Sequence, residues 1–117
     1  MPPDPLRPIE PQAIETAREA ILKGDAQRQA KKLVSTICDP TRLSIVRALR
    51  RTPLAAGDLA QVIRRTRSAT SQRLRVLREI DAVVPERRGN VIRYRLGESD
   101  AALLLSEVGS AFDRLVA

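Results

Sequence analysis

Residues 66–81 read TRSATSQRLRVLREID. Wound at about 100° per residue, Ser68, Ser71, Gln72, Arg75 and Glu79 fall along one side of a helix, with Arg67 and Arg78 at its margins. Hydroxyl, carboxamide and guanidinium groups in one row can hydrogen-bond base edges, and arginine reaches guanine or phosphate through paired N–H donors. Ala69, Thr70, Leu74, Val76, Leu77 and Ile80 fall opposite and are expected to be buried. Arg73 lies within that apolar arc, so its side chain has to emerge at the rim. A phosphate contact is the role expected of it. Arg67, Ser68, Ser71, Gln72 and Arg75 are the residues expected in the major groove.

The flanking sequence supplies what must hold this helix. Thr66 is a suitable N-cap, and the helix N-terminus it opens favours an anion. Asp81 stands where the helix must stop, and Asp tolerates the left-handed conformation better than most residues. A hairpin follows. Ala82, Val83 and Val84 form a short strand interrupted by Pro85, and residues 91–96 form a second, alternating Ile92, Tyr94 and Leu96 against Val91, Arg93 and Arg95. Arg88-Gly89-Asn90 is the turn, where Gly and Asn can take positive φ. Arg87, Arg88 and Arg93 belong to this wing and are expected at phosphate or the minor groove.

Upstream, residues 1–11 hold five of the eight prolines and predict a mobile arm. A first helix is predicted over residues 12–22, ended by Gly24. A second carries Ala30, Leu33, Val34 and Ile37 on one face. Asp39-Pro40 starts a third, as N-cap and first residue, with Leu43, Ile45, Val46 and Leu49 as its buried stripe. A fourth, about 56–63, turns Leu59, Val62 and Ile63 inward. A last helix over 99–117, capped by Ser99 or Asp100, carries Leu103, Leu104, Val108, Phe112, Leu115 and Val116. The fold expected is α+β but mainly α: a winged helix-turn-helix of five to six helices and one β-hairpin, forming a single domain over residues 12–117. The apolar first and last helices are free to serve a dimer.

Charge concentrates on the same unit. From Arg64 to Arg95 ten arginines stand against three acids, a surplus of seven that equals the net charge of +7 for all 117 residues. Not one of the ten positions is lysine, which favours forked contacts over a diffuse ammonium cloud. Such a confined positive field is the footprint of a polyanion-binding surface. The chain has no histidine, no glycine-rich phosphate loop and one cysteine. Loss of the commonest general base and metal ligand argues against an enzyme. No apolar run is long enough to span a bilayer, and a lone cysteine fits the reducing cytoplasm.

Four stretches together carry a family resemblance: CDPTRLSIVRAL, PLAAGDLAQVI, TRSATSQRLRVLRE, and a G-x-x-x-x-Y-x-L hairpin ending at Tyr94 and Leu96. They resemble the ArsR/SmtB family of bacterial repressors over roughly residues 33–96. That resemblance implies a cytoplasmic homodimer of winged helix domains that binds an inverted-repeat operator in double-stranded DNA. It further implies repression of transcription, a dimer interface made by the first and last helices, and release by an inducer, often a metal or metalloid.

The chain departs from the metal-sensing members. The Cys-Val-Cys-Asp-Leu motif of arsenic sensors aligns with Ala55-Ala56-Gly57-Asp58-Leu59, so both thiolate positions are empty. Asp100, Glu107 and Asp113 read as a solvated helix face, and a site for a hard cation or nickel made of carboxylates is the alternative. We expect neither a metal nor a cofactor. Cys38 is expected to be a small buried hydrophobe; a thiol sensor or intersubunit disulfide is the other reading. Two further readings stay open. The chain can sense its signal through an unidentified effector or partner protein, or it can bind nucleic acid without regard to sequence.

Overall fold

Proline fixes where two helices begin. Pro11 opens α1 (Pro11–Arg18) and Pro40 opens α3 (Pro40–Leu49), since its preset φ suits a first turn and its missing N–H has no partner there anyway. The computed structural model describes residues 7–116. Between and after these helices come α2 (Gly24–Ile37), β1 (Leu54–Ala55), α4 (Ala56–Ile63), α5 (Arg67–Glu79), β2 (Val83–Arg88), β3 (Val91–Leu96) and α6 (Asp100–Val116). The described residues form a winged helix-turn-helix of six helices and one small antiparallel sheet.

Two compact units divide the chain, one ending at Lys31 and the other beginning at Lys32. The sequence reading runs the domain from residue 12; the unit that holds the core begins at Lys32. Most of the proline-rich arm lies outside the described residues. Of its described part, residues 7–10 are irregular and Pro11 is already helical.

The first unit contains α1, which is shorter than predicted. The amides of Ala20 and Ile21 bond back three residues, to Ala17 and Arg18. That tightened turn closes the helix before residue 22. No side chain of α1 is buried.

The second unit has one hydrophobic core. Ile45, Val46 and Leu49 of α3, Leu59 of α4, Leu74 and Leu77 of α5, Val83 of β2 and Leu105 of α6 meet in it, with Ala82 between α5 and β2. Four expectations change here. Val62 is 58% exposed, and Ala60 faces inward in its place. Val34 is exposed too, and the inward residue on α2 is Thr36, whose hydroxyl donates to the Lys32 carbonyl at 3.0 Å. Cys38 is exposed rather than buried. It follows Thr36 by two residues, about 200° around the helix, so the inward place is already taken. On α6, Ala102, Leu105 and Gly109 face inward, while Leu103, Leu104, Phe112, Leu115 and Val116 are open to solvent.

The sheet has the order β1-β3-β2, with Leu54 opposite Tyr94 and Val83 opposite Leu96. Pro85 does not interrupt the hairpin; it lies within β2, opposite Tyr94. β2 is an edge strand, where a residue without an N–H is tolerated. Sequence periodicity missed β1, which is two residues long and exists only against β3.

Candidate nucleic-acid interface

The turn Arg64-Arg65-Thr66 aims one helix at solvent from the end of another. Arg64 closes α4 in the left-handed conformation at φ 55°, and the Arg65 amide bonds back to the Ala60 carbonyl at 3.1 Å. Thr66 then caps α5, its hydroxyl accepting from the Ala69 amide at 3.0 Å. The chain leaves α5 through Asp81 at φ 56°, as its sequence position predicts. Its next amide, of Ala82, bonds to the Leu77 carbonyl at 2.8 Å.

Between those caps the two faces of α5 separate. Thr70, Leu74 and Leu77 are sealed in the core. The Thr70 hydroxyl donates to the Thr66 carbonyl at 2.8 Å, so its burial leaves no unmatched donor. Arg67, Ser68, Ser71, Gln72 and Arg75 are all exposed on the other side. Arg73, expected to emerge at the rim, lies at the margin of the buried face. It is half-buried, and its guanidinium turns back toward Asp39, with Nε 3.5 Å from Oδ2.

Partners in an antiparallel ladder share a face of the sheet. The register therefore puts Arg88, Arg93 and Arg95 on one face of the wing with Glu86, and Arg87 on the other. Glu86 stands opposite Arg93 and pairs diagonally with Arg95, at 3.5 Å from Nε. Arg88 and Arg93 are exposed on that face. Arg87 is exposed near the tip, where its Nε donates to the Gly89 carbonyl at 3.1 Å. Only Gly89 of the turn takes positive φ, at 62°; Asn90 does not, so glycine alone carries the reversal.

A cleft of about 460 Å³ runs between α5 and the wing, lined by Ser71, Leu74, Arg75, Arg78, Glu79 and Tyr94. Of these, Leu74, Arg78, Glu79 and Tyr94 were not singled out from the sequence as site residues: Leu74 belongs to the buried face, and Glu79 lies on the polar face. Arg78 had a signal in the arginine tally. Tyr94 had one in its alternation with Arg93 and Arg95 on β3 and in the hairpin pattern that carries the family resemblance. Among the described residues no group of three or more Cys, Asp or Glu is placed to hold a metal ion, and no helix is long and apolar enough to cross a membrane.

Two helices joined by a three-residue turn, the second open along a polar face and followed by a basic hairpin, define a winged helix protein built to meet DNA. Comparison with known proteins agrees. A helix-turn-helix domain model matches residues 37–86. The HTH-type transcriptional regulator NmtR of Mycobacterium tuberculosis is 40% identical over 88 residues, 75% of this chain and 73% of that protein. The transcriptional repressor SmtB homolog of Synechocystis sp. is 30% identical over 95 residues, 81% of this chain and 72% of that protein. The structure of the transcriptional repressor BigR from Xylella fastidiosa superposes with a TM-score of 0.68 at 28% identity, covering 91% of this chain and 96% of that one. The chain belongs to the ArsR/SmtB family of winged helix regulators. It is a DNA-binding transcriptional regulator, not an enzyme.

Proposed function

We propose that this protein is a homodimeric repressor that acts in the cytoplasm on an inverted-repeat operator. In each subunit α5 enters the major groove. Arg67, Ser68, Ser71, Gln72 and Arg75 meet it there. The β2–β3 wing lies along phosphate or the minor groove through Arg87, Arg88 and Arg93. The observation that carries this reading is the division of α5: Leu74 and Leu77 are sealed in the core while that polar row is open to solvent.

The homodimer is supported by α6. Its Leu115 and Val116 are 78% and 79% exposed, and Leu103 and Phe112 are close to half exposed or more. A run of large apolar side chains along one helix is a surface that a partner covers. α6 is held to the core unit by polar contacts from α3: Arg50 Nη2 donates to Ser110 Oγ at 2.9 Å, and Arg47 pairs with Asp113. A second copy meeting α6 would thus be fixed relative to the DNA-binding helix.

The test is selection of bound duplexes from random DNA, followed by sedimentation of the protein with the recovered site. Recovery of a palindromic site bound by two chains is the expected result. Indifference to sequence, or one chain per site, would overturn the reading.

A further inference from the structure

Asp39 uses its two carboxylate oxygens for different tasks. Oδ1 caps α3, accepting from the amides of Thr41 at 2.9 Å and Arg42 at 3.3 Å. Oδ2 faces two guanidinium groups, with Arg42 Nε at 3.7 Å and Arg73 Nε at 3.5 Å. Both Nε atoms are shut off from water and have no hydrogen-bond partner among the described residues. A buried donor of this kind is costly unless an acceptor stands near it, and the acceptor near both is Asp39. Arg73 Nη1 also donates, at 3.4 Å, to the Ala69 carbonyl of its own helix. Its guanidinium is therefore drawn inward, toward the start of α3, and away from the surface where DNA would lie.

Hydrophobic burial has no direction. Thr70, Leu74 and Leu77 set which face of α5 turns inward, and a finer rotation within that setting is what a polar contact can fix. A charge-assisted contact at the margin of the helix supplies that finer direction. Arg73 is the residue next to Gln72, so a rotation that Arg73 prevents is one that would move Gln72 across a base edge.

We propose that Asp39 and Arg73 form a clasp between α3 and α5 that fixes the rotation of the readout helix. Arg73 is then a positioning residue for sequence discrimination and not a phosphate contact. The inference rests on the DNA-binding role of α5 and says what holds that helix in register.

Two variants separate the clasp from the cap and from phosphate binding. Asn is as good an N-cap as Asp, so Asp39→Asn keeps α3 capped while removing the charge that holds Arg73. Affinity for the selected operator and for random duplex is measured across a salt series for wild type, Asp39→Asn and Arg73→Ala. Thermal unfolding confirms that each variant is folded. For Arg73→Ala, operator binding is expected to weaken on the order of tenfold, with binding to random DNA and the salt slope unchanged. For Asp39→Asn the freed guanidinium is expected to reach phosphate. The salt slope should then steepen by up to about 0.9 per subunit, while preference for the operator falls.

Arg73→Ala that weakens operator and random DNA equally and flattens the salt slope would make Arg73 a phosphate contact and overturn the proposal. Two variants that bind as wild type does would overturn it as well. Exchange of the Arg42 and Arg73 Nε protons, followed by NMR without DNA, decides the clasp separately from the DNA reading. Slow exchange in wild type and fast exchange in Asp39→Asn are expected. Fast exchange in wild type overturns the clasp whatever the DNA results are.

Discussion

A methyl group on Gly97 would stand 2.5 Å from the carbonyl oxygen of Asp81. That oxygen is already engaged, accepting from the Ser99 hydroxyl at 2.6 Å, and Ser99 in turn caps α6 by accepting from the Ala102 amide at 3.1 Å. The end of the readout helix, the end of the wing and the start of α6 thus meet at one backbone crossing. Gly97→Ala forces that crossing apart and is expected to cost about 1–3 kcal/mol of stability. Chemical denaturation measures it; a variant as stable as wild type would show that the backbone gives way freely.

Salt should act strongly on binding. In the proposed complex the exposed arginines of α5 and the wing neutralise several phosphates per subunit, so log affinity should fall by about 0.9 per contact for each unit rise in log salt. Titrations at several salt concentrations measure the slope, and a flat profile would remove the electrostatic role given to this surface.

Readout and anchoring should separate by mutation. Gln72→Ala is expected to weaken specific binding by about 1–3 kcal/mol and relax preference at one base position. Arg88→Ala should weaken operator and random DNA alike. The opposite pattern in the two variants would exchange the roles of helix and wing.

Arg64 holds a left-handed conformation that costs an L-residue about 1–2 kcal/mol and that glycine adopts freely at a helix end. Arg64→Gly is therefore expected to raise the unfolding free energy by roughly 0.5–1 kcal/mol while shallowing the salt slope of DNA binding. If stability falls instead, the side chain contributes packing that its exposure does not suggest.

Cys38 stands alone and exposed, and the positions that carry thiolates in arsenic sensors hold Ala55 and Gly57. One thiolate per subunit leaves a tetrahedral soft-metal site mostly unfilled. Arsenite, cadmium and zinc at low micromolar levels are expected to leave the DNA complex intact, and Cys38→Ser to bind the operator as wild type does. Release by arsenite that vanishes in Cys38→Ser would mean that a site forms across two subunits. Because Cys38 is exposed, loss of binding under peroxide in wild type but not in the variant would report thiol oxidation.

Features set by a few neighbouring residues were legible in the chain. Asp39-Pro40, Thr66, Asp81 and Ser99 all act where their types place them, because capping and left-handed turns are local. The division of α5 was legible for the same reason: a period of 3.6 residues needs no knowledge of the partner. What escaped depends on distant residues. Val62 and Cys38 have apolar types but positions the core does not reach. β1 exists because β3 runs beside it. Arg73 looked like an outward cation until Asp39, thirty-four positions earlier, gave it an inward acceptor.

All three lysines, Lys23, Lys31 and Lys32, precede the helix-and-hairpin unit, whose positive charge comes from arginine alone. This surface therefore offers a polyanion planar guanidinium forks rather than ammonium point charges. Enzymes that acylate lysine find no target on it. In the proposed complex, displacement of the arginines relative to the phosphates, or anions that compete for them, detaches the protein from DNA, and acylation of lysine does not.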